Sequence, residues 1–187
     1  MRSAYHEGAR ELQDRFDTRR LADSLAEKLS RTAFTAEDKS FIEASCMFFL
    51  ATADAEGQPD CSYKGGVPGF VRVTGPSEVS FPSYDGNGMF RSLGNVRVNP
   101  RVGMLFLDFE KPRRLRVNGV ARLEAPAGEF EGAQLLVRVR AERIFPNCPR
   151  YIHRMQLVEN SVYAPRPGHV PPEPAWKQKF KDVLPRG

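Results

Sequence analysis

Cysteine and histidine are scarce, three of each in 187 residues, and Cys46, Cys61 and Cys148 are an odd number at spacings that match no metal site. A secreted disulfide framework is excluded in favour of a reducing compartment, and no metal is expected. No run of five Lys or Arg occurs, so the electrostatic footprint of a nucleic-acid-binding segment is missing. No window approaches the roughly 20 apolar residues of a membrane span, and Met1–Gly8 lacks the apolar core of a signal peptide. The expectation is a cytoplasmic protein with neither membrane nor nucleic acid as partner. Internal repeats are absent, and tryptophan occurs once, at Trp176.

What is present fits one globular domain with tails: 41% of residues are hydrophobic and 27% charged. The 28 Lys and Arg outnumber the 23 Asp and Glu for a net charge of +5, which admits an anionic partner without choosing one. Between about 9 and 32, Leu12, Phe16, Leu21, Leu25 and Leu29 recur at near-helical spacing, as one amphipathic helix or two short ones. Thr35-Ala36-Glu37-Asp38 opens another helix, with Thr35 as the cap and acids at the positive end, running to about Ala44.

From Cys46 the pattern turns to β, with apolar runs at 46–53, 58–64, 69–74, 78–83, 101–109, 113–124 and 134–145 separated by turn residues. These seven segments predict a closed or nearly closed antiparallel barrel. Within 87–98 a short helix is expected, stopped by Asn99-Pro100. The division is a helical extension over 1–34, a barrel over 35–160 and a proline-rich arm over 161–187. The arm is expected to lie over the barrel or a neighbouring subunit, because Trp176 is costly to leave in water.

The most informative stretch is Ser62-Tyr63-Lys64-Gly65-Gly66. It follows a hairpin whose turn is Asp54-Ala55-Glu56-Gly57, and so puts a hydroxyl, a phenol and an ammonium at the far end of the second strand. The glycines after Lys64 let a ligand or another backbone approach, and the same residues also read as a loop with a solvated lysine. Ser83 and Tyr84 end a later strand, and Asn87, Arg91 and Ser92 follow it, so donors from two connections converge on one anion such as a phosphate. Cys148 and His153 are too few for a metal site and lack a third group as a nucleophilic pair; Pro149 instead suggests a helix start.

Four segments in this order resemble the pyridoxamine 5′-phosphate oxidase-like FMN-binding split barrels over about 38–124. They are Phe48–Thr52 with Gly57–Asp60, Ser62–Gly66 with Pro68–Val71, Asn99–Phe106, and Leu115–Ala121. The resemblance implies a mainly β fold with flanking helices, an antiparallel six-stranded split barrel, and a homodimer with FMN at its interface. It also implies flavin contacts from Ser62, Tyr63, Lys64 and Gly65, phosphate contacts from Ser83, Tyr84, Arg91 and Ser92, and further flavin contacts from Arg114 and Leu115. Residues 146–187 do not reproduce the tryptophan- and arginine-rich ending of true pyridoxamine phosphate oxidases; Arg150 and His153 stand there as substrate-side candidates. Two functions follow: an FMN-dependent oxidoreductase acting on a small organic substrate, or a non-catalytic flavin-binding or haem-handling barrel.

Overall fold

The structure, a computed structural model, describes residues 5–185. Three helices come first: α1 (Glu7–Arg15), α2 (Arg19–Leu29) and α3 (Ala36–Ala44). The first apolar stretch is thus two helices, broken where Asp17 adopts a left-handed conformation at φ 51°. At α3 the cap forms as the residues dictate. The Asp38 amide donates to Thr35 Oγ1 at 3.1 Å and the Thr35 amide to Asp38 Oδ2 at 3.0 Å, so each side chain satisfies an otherwise orphaned donor.

Seven strands follow: β1 (Met47–Ala53), β2 (Pro59–Gly65), β3 (Arg72–Gly75), β4 (Glu78–Tyr84), β5 (Arg101–Asp108), β6 (Arg113–Glu124) and β7 (Ala133–Pro146). Helix α4 (Arg91–Val98) lies between β4 and β5, and 3₁₀ turns span Ala175–Val183. The strands form one antiparallel sheet in the order β2-β1-β5-β6-β7-β4-β3. It has seven strands rather than six, because short β3 pairs with β4 at Arg72↔Ser80, and it stays open between the edges β2 and β3. No helix among the described residues is long and apolar enough to cross a membrane.

Alternating burial along β1, β5 and β6 turns one face of the sheet onto a single core, whereas β4 is buried at four consecutive positions from Val79 to Pro82. Along β1 the buried positions are Phe48, Leu50 and Thr52, and the ring of Phe48 meets Phe81 at 4.9 Å, Phe106 at 5.2 Å and Phe70 at 6.0 Å. Register shifts at a bulge in β7, where Glu142 is the extra residue opposite the Asn118–Gly119 step of β6; a Cβ on Gly119 would sit 2.2 Å from the Arg140 carbonyl oxygen, so any side chain there must displace β7. The hairpin turn is built from Asp54, whose Oδ1 accepts the amides of Glu56 and Gln58, and from Gly57 at φ 84°.

One expectation is corrected here. Pro149 opens only a turn, closed by the Ile152 amide on the Pro149 carbonyl. The residues from Ile152 to Asn160 carry no regular secondary structure and are mostly exposed; the Met155 amide donates instead to the Phe109 carbonyl, outside the segment.

Candidate functional site

The face on which Lys64 lies follows from pairing. In the β1–β2 register Phe48 is opposite Lys64, Leu50 opposite Ser62 and Thr52 opposite Asp60, so Asp60, Ser62 and Lys64 share the inner side of the sheet. They form one wall of a cavity of about 360 Å³. Ser83 and Tyr84, from the end of β4, form a second wall, and the loop through Asn87 with Arg91 and Ser92 of α4 a third. Seven of the expected residues therefore meet: Ser62, Lys64, Ser83, Tyr84, Asn87, Arg91 and Ser92. Gly65 borders a smaller adjoining cavity of about 230 Å³ that shares Lys64, Ser83 and Tyr84.

The other expected residues lie apart. Tyr63 points to the outer side of β2, 61% exposed, with its ring 6.1 Å from Phe49; it borders the adjoining cavity and two outer ones of about 540 and 630 Å³, but not the cavity that holds Ser62 and Lys64. Leu115 is 1% exposed in the core, and Arg114 precedes it on the outer face of β6. Arg150 and His153 are exposed beyond β7 and line none of these walls.

The charges of the cavity are arranged rather than scattered. Burial pushes the Lys64 ammonium down from its ordinary pKa, with Asp60 opposing that shift. Asp60 accepts from Ser92 Oγ at 3.1 Å and lies 3.7 Å from Arg91 Nε, holding both at the start of α4. Burial raises the Tyr84 phenol, with Arg72 acting against it, so the hydroxyl stays a donor through the neutral range.

Helix α4 begins without a side-chain cap. Its N-cap, Phe90, is left-handed at φ 48°, and the loop before it is bent by the Met89 amide donating to Asn87 Oδ1 at 3.0 Å. The first amides of α4 and the positive end of its dipole thus open on a cavity already holding two cations. That donor set suits a phosphate monoester.

Sequence reasoning missed Asp60, Asp85 and Pro185, which line the cavity, and Lys177, which pairs with Asp85. Alternation along β2 is the signal that would have found Asp60, two residues before Ser62 on the same face.

The sequence profile of the pyridoxamine 5′-phosphate oxidase family matches residues 34–183. Among solved structures, HupZ of group A Streptococcus is 21% identical, covering 60% of this chain and 98% of its own, with a TM-score of 0.49. A Lactobacillus delbrueckii protein provisionally named a pyridoxamine 5′-phosphate oxidase is 19% identical, covering 62% of this chain and 95% of its own, with a TM-score of 0.50. HutZ, a heme storage protein from Vibrio cholerae, is 21% identical, covering 58% and 91%, with a TM-score of 0.44. What the Lactobacillus protein shares with this chain is the fold. No curated protein matches the chain.

Proposed function

The chain belongs to the pyridoxamine 5′-phosphate oxidase family, and from that premise we propose that it is an FMN-dependent oxidoreductase of a small organic substrate, holding the FMN phosphate between β2, the end of β4 and α4. The observation that carries this reading is the convergence of Lys64, Arg91, Ser92 and Ser83 on the uncapped start of α4. FMN, when bound, supplies the ring that takes up and hands on a hydride.

The residues of the chain bind and orient. Lys64 meets the anion as a partly desolvated ammonium, where a charge–charge contact is worth more than in water. Asp60 fixes the Ser92 hydroxyl by a hydrogen bond and pairs with the largely exposed Arg91, and Tyr84 offers a neutral hydroxyl beside Ser83.

The test is direct. Purified protein is expected to carry the visible flavin band and to quench added FMN on titration; colourless protein that leaves FMN emission unchanged overturns the reading. Turnover is read as anaerobic bleaching of that band by NADH or NADPH. A band that neither bleaches supports the non-catalytic alternative.

A pH dependence follows from Lys64. Its pKa is lowered in the free protein, and a bound phosphate restores the ammonium. Affinity is therefore full below the free-state pKa, falls as pH rises through it, and levels off past the higher pKa of the complex. The fall starts at lower pH than for a solvated lysine. Lys64→Arg, whose charge persists, is expected to flatten it in an FMN titration run from neutral to alkaline pH; an equally steep fall in that variant assigns the dependence elsewhere.

The same reading includes a homodimer. Phe49, Leu105 and Tyr63 form an apolar row on the outer side of the sheet, and Arg114 lies on that side with a buried Nε that has no hydrogen-bond partner. A second copy seated there would bring its ligand to Arg114, with Arg150 and His153 presented to the substrate from outside the cavity. Light scattering is expected to give twice the 21.1 kDa chain mass; a monomer that retains FMN overturns the shared site.

A further inference from the structure

The C-terminal segment reaches the cavity from far along the chain. Beyond β7 the chain is anchored at Ala164, 8% exposed, where Pro165 lies against Gly132, and then turns back through a hydrogen bond at 2.7 Å between His169 Nε2 and the Val162 carbonyl. Pro171, Pro172 and Pro174 restrict the next stretch, which lowers the entropy lost on ordering it. The 3₁₀ turns of Ala175–Val183 follow, with Trp176 packed edge-on to Phe180 at 6.2 Å.

Two contacts then tie this segment to the site. Lys177 Nζ meets Asp85 Oδ2 at 2.5 Å, and Pro185 lines the cavity alongside Lys64 and Arg91. Lys177 is 22% exposed and Asp85 56%, so the lysine stem is packed while the carboxylate stands at the rim.

The charge at the site depends on this tie. Lys64, Arg91 and Lys177 face the two carboxylates Asp60 and Asp85; without Lys177 the cations and carboxylates are equal in number. An anion then meets an uncompensated Asp85 at the rim.

We infer that residues 175–185 form a strap latched at the rim of the cavity, and that Lys177 is a positioning residue that cancels the charge of Asp85 so that a phosphate monoester is admitted. This rests on the FMN reading for its ligand but not for the strap itself, whose sole tryptophan reports independently of any ligand.

The experiment compares the full-length protein with Lys177→Gln, Asp85→Asn and the double variant, reading acrylamide quenching of Trp176 and FMN affinity by titration. Lys177→Gln and Asp85→Asn are both expected to raise Trp176 quenching, since each breaks the latch. Their affinities should diverge: Lys177→Gln loses about three- to tenfold, Asp85→Asn loses nothing, and the double variant regains what Lys177→Gln lost. A strap acting only as a wall would weaken FMN in all three, and that outcome overturns the role of Lys177. Unchanged Trp176 quenching in both single variants overturns the strap. Should the unaltered protein bind no FMN, the reading of the cavity fails, and the strap is decided by Trp176 alone.

Discussion

Replacing Lys64 and Arg91 together by alanine is expected to weaken FMN binding by about a hundredfold or more while leaving thermal unfolding unchanged. A charge-assisted contact contributes about 1.5–3 kcal/mol, and Lys64, already partly desolvated, should lie near the top of that range. Arg91 is 71% exposed, so it contributes less until the ligand covers it. Each factor of ten corresponds to about 1.4 kcal/mol, so Lys64→Ala alone should account for most of the loss. Neither side chain is in the apolar core. Fluorescence titration checks the affinity and circular dichroism the fold; a folded double variant with unaltered affinity places the phosphate outside this cavity.

Much of the scaffold was legible because it rests on local periodicity. Alternation along Met47–Ala53 and a turn written in Asp54 and Gly57 suffice for the first hairpin, and Thr35 with Asp38 for the start of α3. The cavity was legible to the extent that its walls are short connections: Ser62 and Lys64 close one strand, Ser83 and Tyr84 another, and Arg91 and Ser92 open the helix after it. What stayed hidden depends on contacts between distant segments. Lys177 and Asp85 are 92 positions apart, and no spacing rule links them. The resemblance grouped Tyr63 with Lys64 as ligand contacts, whereas the pleat sends the two side chains to opposite faces. Leu115 shows the same limit: alternation marks it as buried, and only the packing shows which core side chains surround it.

Asp38→Ala is expected to be strongly destabilising although it removes no core side chain. The Asp38 carboxylate is 3% exposed and accepts both contacts of the Arg31 Nη2 group, at 2.9 and 2.7 Å, as well as the Thr35 amide at 3.0 Å. Arg31 in turn exchanges backbone hydrogen bonds with Ile144 at 2.9 and 2.7 Å, so this one carboxylate ties the start of α3 and the linker after α2 to β7. Arg31 Nε is already buried without a partner, and removing Asp38 leaves the guanidinium without its counter-charge. Breaking a buried pair on one side costs about 3–5 kcal/mol; since the Arg31 side chain is 33% exposed, the low end applies. Loss of the reciprocal cap adds about 1 kcal/mol. At about 2–4 °C per kcal/mol for a chain of this size, the melting temperature should fall by about 8–16 °C. Asp38→Asn, which keeps an acceptor for the Thr35 amide, should fall less. If calorimetry finds Asp38→Ala melting with the unaltered protein, the Arg31–Asp38 tie does not hold the helices to the sheet, and the capping contribution must be small as well.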